Sequence, residues 1–227
     1  MPRPRPRPPE IIHGVPLLPL PRPRPAPPRS GGSATPGGTL ADIPPSACRA
    51  RITADLATIE PLPPLRGAGE CGGEDVVLLK AVMTGETGPV AIVPPATPRC
   101  PMAEALIGWI RDDVMTATAR LGSPLRAVAN YASYECRPRN RIEGAKLSQH
   151  GLANAIDVRA LVLADGTTLA PTDATADRGL REQLRLTACA RFATVLGPGS
   201  DGYHEEHIHL DLAERAHATH LCQWEVR

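Results

Sequence analysis

Fifteen of the 27 prolines fall within the first 45 residues, in runs such as Pro2-Arg3-Pro4-Arg5-Pro6-Arg7 and Pro21-Arg22-Pro23-Arg24-Pro25. Each proline removes a backbone donor and fixes φ, so such a stretch cannot supply a helix or a sheet ladder and favours extended polyproline II. The same segment holds six arginines against only Glu10 and Asp42, a formal +4 in a chain whose total is +1. We read residues 1–45 as a disordered, semi-stiff basic tail, a solvated linker in preference to a rod that gathers anionic polymers or lipid head groups. A folded domain is thereby confined to residues 46–227.

That remainder is long enough for one core, but Phe192 is its only phenylalanine, so Ala, Val, Leu and Ile must fill it. Ser46 can cap a helix whose stripe is Cys48, Ile52, Leu56 and Ile59, ended by Pro61 and Pro63. Val76–Leu79 and Val90–Val93 read as strands around a Gly85–Gly88 turn. Pro101 opens a longer helix that closes at Leu121-Gly122, with Gly122 as its C′ residue. Strands are expected at Val128–Tyr134, at Ala155–Val158 continuing through Leu161–Leu163, and at His207–Leu212, with a helix over Leu180–Phe192. Helices and strands mix without a βαβ rhythm, which predicts an α+β fold: a small antiparallel sheet flanked by helices.

No stretch reaches the roughly 20 apolar residues needed to span a bilayer. Ile11–Leu20 follows arginines as a secretory h-region would, but its prolines and its histidine make it a poor one. Cys48, Cys71, Cys100, Cys136, Cys189 and Cys222 are even in number and contain no CxxC pair. They argue for disulfides and an oxidising compartment, the periplasm or cell envelope. Pairing neighbours in sequence would close modest loops: Cys48–Cys71, Cys100–Cys136 and Cys189–Cys222.

Four of the seven histidines lie in two segments about fifty residues apart, Ser148–Asp157 and His204–Asp211. Each segment mixes imidazole with carboxylate, the donor set that suits Zn²⁺. On a strand, the alternation His207-Ile208-His209-Leu210-Asp211 puts both imidazoles and the carboxylate on one face and the aliphatic residues on the other. His150, Asp157 and one of the last two histidines would supply three ligands and leave a fourth position open, as a hydrolytic zinc requires. Glu206 and His207 are the candidates to move protons. Gly151, with the small Ala153 and Ala155, would let backbone and substrate approach closely. His217 and His220 read as surface residues.

Ser148-Gln149-His150-Gly151-Leu152-Ala153-Asn154-Ala155-Ile156-Asp157 resembles the Ser-x-His-x-x-Gly-x-Ala-x-Asp signature of the zinc D-alanyl-D-alanine peptidase and hedgehog superfamily, with Asn154 at the signature's Gly position. The second segment has the His-x-x-His-x-His spacing of penicillin-insensitive murein endopeptidases. The ordered blocks Tyr134–Asn140, Ser148–Asp157, Cys189, Leu196–Gly199 and the His-rich strand resemble more closely the bacterial extensin-like C-terminal domain family.

The resemblance implies a hedgehog/DD-peptidase-like fold, with zinc on His150, Asp157 and His209. It makes His207 the catalytic histidine and Glu206 its rival, three residues before His209. It makes Arg137 a cation for the developing oxyanion, and leaves His204 to line the cleft or cap its loop. The expected activity is a zinc-dependent peptidase, an endopeptidase or a carboxypeptidase, cutting an amide bond in the peptidoglycan stem or cross-link. The alternative is a non-catalytic wall-binding module that keeps the fold. The expected partner is a peptidoglycan peptide, with no nucleic acid and no transmembrane segment, the chain acting as a monomer.

Overall fold

The computed structural model describes residues 46–216 and 219–226, so the expected tail and His217 lie outside the described residues. Ser46 does cap a helix, α1 (Ala47–Arg51), its Oγ accepting from the Arg49 N–H at 3.0 Å. That helix is short. Ile52 leaves the helical region, and the chain continues as an edge strand, β1 (Ala57–Pro61), instead of the helix expected up to Ile59. The 3- to 4-residue stripe misled because Ala57, Thr58 and Ile59 pair with a neighbouring strand, and Pro61 is tolerated at a sheet edge.

The further strands are β2 (Leu65–Arg66), β3 (Gly72–Gly73), β4 (Val77–Met83), β5 (Pro89–Ala96), β6 (Leu125–Ala132), β7 (Ala155–Leu163), β8 (Thr168–Leu169), β9 (Thr194–Leu196), β10 (Ile208–Asp211) and β11 (Leu221–Gln223). Apart from the small β2–β3 pair, they form one nine-stranded sheet in the order β1-β4-β5-β6-β7-β10-β9-β11, with β8 on β7. The α+β class holds, but the sheet is larger than expected and it is mixed. β5 pairs with β6, and β9 with β11, in parallel. A parallel pair needs a crossover, and the helical run α2 (Cys100–Gly108), a π-helical stretch (Trp109–Val114) and α3 (Met115–Thr118) supplies it between β5 and β6. Gly122 ends this run at φ 76°, a left-handed conformation that costs glycine little.

The last helix, α4 (Arg178–Arg191), is capped by Asp177, whose side chain accepts from the Leu180 N–H at 2.6 Å. The helices cover one face of the sheet. Ile156, Val158, Ile208 and Leu210 join Leu79, Ile92, Leu106, Ile110, Leu184 and Phe192 in a single core. Residues that alternate with the first four, Asp157, His209 and Asp211, therefore face the opposite side. They are buried there as polar groups.

The disulfides are Cys48–Cys100, Cys71–Cys136 and Cys189–Cys222. Only the last matches the expected pairing. Cys48–Cys100 joins α1 to the start of α2, beside Asp75, which accepts from Ser46 Oγ at 2.6 Å. Cys71–Cys136 ties the β2–β3 connection to the loop after β6. Packing between segments distant in sequence, α1 on α2 and the β2–β3 connection on the loop after β6, brings the first two pairs together, not loop length. No helix among the described residues is long and apolar enough to cross a membrane.

Candidate metal centre

Ser148 caps a short 3-10 turn (Gln149–Leu152), its Oγ accepting from the His150 N–H at 3.3 Å. The turn ends at Ala153 in the left-handed region, φ 52°, after which the chain enters β7. His150 is thus delivered against the polar face of the sheet. In the β7–β10 register His209 lies directly opposite Asp157. Two local devices and one cross-strand pairing gather three side chains from positions 59 residues apart in sequence.

His150 Nε2, His209 Nδ1 and Asp157 Oδ1 form a near-equilateral triangle. The edges are 3.1 Å from His150 to Asp157, 3.1 Å from His150 to His209, and 3.0 Å from His209 to Asp157. All three residues are buried. The outward nitrogens fix the tautomers. His150 Nδ1 meets the Ser133 carbonyl, which can only accept, and His209 Nε2 meets Asp211 Oδ2 at 3.0 Å. Each imidazole therefore donates outward and, when neutral, turns a lone pair inward at the other and at the carboxylate. Three converging acceptors repel one another unless a shared cation or proton sits among them.

A tetrahedral ion with bonds of roughly 2.0–2.2 Å places its ligand atoms roughly 3.3–3.6 Å apart, a few tenths of an ångström wider than this triangle. The donor set fits a first-row divalent ion, and the partners of His150 and His209 are the outer contacts that such ligands use. The described residues offer a second group of possible donors, Cys48, Asp75 and Cys100. Its two sulfurs are already spent in a disulfide.

Electrostatics agree with the geometry. Burial pushes the Asp157 carboxyl up, but bonds from His150 and His209 and their charge outweigh it and hold it far below the usual range. Burial likewise works against a charged His209, and its bonds to Asp157 and Asp211 reverse this, raising it to about 9. Asp211 is penalised by burial yet held low by His209 and by Thr194, whose hydroxyl bonds Asp211 Oδ1 directly across β9 and β10.

Asp157 Oδ2 faces the other way. His207 Nε2 lies 3.6 Å from it and Arg137 Nη2 3.9 Å. The His207 ring stacks on Tyr131 at 5.0 Å, and burial is the chief reason its pKa is lowered. Arg137 is positioned by Glu135 Oε2, 2.9 Å from its Nε. Arg137, Asn140 and His204 stand between two clefts. One, of about 280 Å³, reaches His150 and His209, and the other, of about 450 Å³, reaches Asp157 and His207.

Of the residues singled out in the sequence, His150, Asp157, His209, His207 and Arg137 are therefore brought together. Glu206 is not: it is exposed and lines neither cleft. His204 lines both clefts and also braces its loop, its Nδ1 lying 2.7 Å from Asp201 Oδ1. His220 is exposed, as expected. Gly151 does not open the site, because the space its side chain would take is filled by Leu147, 2.7 Å from a built Cβ. Ala153 and Ala155 are likewise fully buried packing residues. No motif or spacing in the sequence marks Ser133, Asp201, Thr194 or Tyr131. Asp211 carried the one available signal, its place in the alternating strand.

No curated protein and no solved structure matches the chain. The family model described as "Extensin-like protein C-terminus" matches residues 46–223, which takes in nearly all the described residues and every residue of the cluster. The chain belongs to the extensin-like C-terminal family.

Proposed function

We propose that this chain is a zinc-dependent peptidase that hydrolyses an amide bond in a peptidoglycan peptide. The observation that carries the reading is the triangle of His150, Asp157 and His209 with His207 and Arg137 at its cleft side. Two imidazoles and a carboxylate are the ligand set of zinc sites that keep one position open for chemistry. When bound, zinc would supply a Lewis acid and lower the pKa of an attacking water. His207, neutral at pH 7 because burial lowers its pKa, takes the proton released as that water bonds to the amide carbon. It returns the proton to the departing nitrogen as the C–N bond breaks. Arg137, largely buried and braced by Glu135, faces the negative charge that gathers on the carbonyl oxygen. Glu206, exposed, takes no part.

Three disulfides fit an oxidising, extracytoplasmic compartment, and we place the chain in the periplasm or envelope, where its substrate lies. The test is metal analysis of the purified chain together with release of peptides from isolated cell wall. One zinc per chain is expected, with release abolished by a chelator and by His150→Ala. Zinc-free protein that still digests wall, or His150→Ala with full activity, would overturn the reading. Saturable wall binding with no release would favour a binding module on the same fold.

A further inference from the structure

We infer that the smaller cleft, on the His150 and His209 side of the cluster, is a carboxylate-binding subsite formed by Arg139 and Arg215. The inference rests on the reading above that the cluster faces a substrate, and it adds that the bound peptide presents a negative charge on the His150 and His209 side of the cluster.

The argument is a charge balance. Two acids line this cleft, and both are committed. Asp211 Oδ2 is held by His209 and its Oδ1 by Thr194 and by the Ala213 N–H at 2.9 Å. Asp201 Oδ1 meets His204 and accepts from the Tyr203 N–H, and its Oδ2 accepts from Asn140 Nδ2 at 3.1 Å. Of the three guanidiniums on the same walls, Arg137 is held by Glu135, and Arg139 and Arg215 have no such partner. Arg215 donates from Nη1 to the Ala193 carbonyl at 2.8 Å and from Nη2 to Thr194 Oγ1, both neutral oxygens. Arg139 is exposed. Among the described residues no carboxylate lies within ion-pair distance of either.

The larger cleft is built the opposite way. Its other arginine, Arg141, closes on Glu135 as Arg137 does, and Arg137 also turns Nη2 toward Asp157 at 3.9 Å, so each guanidinium there already has a carboxylate partner. A ligand carboxylate thus gains most in the smaller cleft, where a guanidinium can exchange water for a charge-assisted bond. Arg215 is also fixed in place by its contacts to the Ala193 carbonyl and the Thr194 hydroxyl, so little side-chain freedom is lost when it binds. A peptide could bring this charge as its terminal α-carboxylate or as a side-chain carboxylate. The chemistry is the same.

The experiment is calorimetric binding to the zinc-loaded full chain of an acetylated tetrapeptide that carries one side-chain carboxylate and a free C-terminus. The same measurement is made with its C-terminal amide and with its side-chain amide. The wild type and Arg139→Gln, Arg215→Gln and Arg139→Gln/Arg215→Gln variants are compared, with zinc content measured in each. Losing the seated charge should weaken binding about tenfold, and the double variant should bind the free and amidated peptides alike.

Weakening on terminal amidation alone assigns the terminal carboxylate, and weakening on side-chain amidation alone assigns the side chain. Arg139 is exposed, so its variant reports on charge even if Arg215→Gln disturbs folding. The inference is overturned if the peptide does not bind, or if neither amidation nor Arg139→Gln changes its affinity. Wall hydrolysis is followed in parallel. Carboxylate-dependent binding without hydrolysis would leave the subsite standing and remove the peptidase reading, and hydrolysis indifferent to both arginines would do the reverse.

Discussion

His209 and Asp211 lie two residues apart on one face of β10, joined at 3.0 Å between Nε2 and Oδ2. The contact keeps a proton on Nε2, so that Nδ1 is the nitrogen that gives up its proton and turns a lone pair to the cluster when a metal binds. Asp211→Asn removes the anionic acceptor while conserving shape, so metal affinity should fall about 10- to 100-fold. A competition titration against a chromophoric chelator measures this. Unchanged affinity would show that the tautomer is held by other means.

The same contacts make metal binding depend on pH. In the metal-free protein His209 is raised from its ordinary 6.5 to about 9, so it is charged through neutral pH. The raised value means that its contribution to folding is complete below about 6.5 and lost as pH climbs through about 9. Asp157 has the opposite sign: its value is lowered, so its contribution holds above the usual carboxylate range and is lost in acid. A metal must displace the proton on His209. Each metal bound at pH 7–8 should therefore release about one proton, and affinity should rise with pH up to about 9. Titration calorimetry in buffers of different ionisation enthalpy reads the proton count directly.

The candidate cluster was partly legible in the sequence because some of its placement follows from local rules. A period of two puts His209 and Asp211 on one face of a strand, and a serine before a short turn aims His150. What surrounds them was not legible, because it depends on pairing between distant strands. Thr194 meets Asp211 only through the β9–β10 register, and Ser133 meets His150 only because β6 lies beside β7. Glu206 shows the converse. Nearness in sequence to His209 suggested a role, but it precedes the strand and points to solvent. Two of the three expected cysteine pairings failed for a like reason: loop length carries no information about which distant segments pack together.

The Cys71–Cys136 disulfide joins residues 65 apart, immediately before Arg137. Chain-entropy arguments give a loop of this length about 4 kcal/mol. Cys71→Ser/Cys136→Ser should lower stability by up to that amount and slow wall hydrolysis more than it weakens metal binding, since the loop it releases carries Arg137 and not the ligands. Denaturant unfolding at fixed metal content, beside activity, separates the two effects.

Phe192, the only phenylalanine in the chain, is fully buried and meets Trp109 edge to face at 6.1 Å. Trp109 in turn donates from Nε1 to Thr187 Oγ1 of α4 at 3.2 Å. Phe192→Ala should cost about 3–5 kcal/mol by leaving a cavity under α4. Metal affinity of the folded fraction should be unchanged, because the cluster lies on the other face of the sheet.

Arg137 offers the sharpest test of the chemistry. Its guanidinium reaches Glu135 through Nε and turns Nη2 toward Asp157, so one planar group is both braced and aimed. Lysine keeps the charge but has a single donor head, which cannot hold Glu135 and face the cleft at once. Arg137→Lys should therefore lower kcat by about 10²- to 10³-fold while leaving metal content and KM nearly unchanged, the signature of an interaction made only in the transition state. Full activity in Arg137→Lys would show that positive charge alone suffices at this position, and a rise in KM with kcat intact would make Arg137 a binding residue instead.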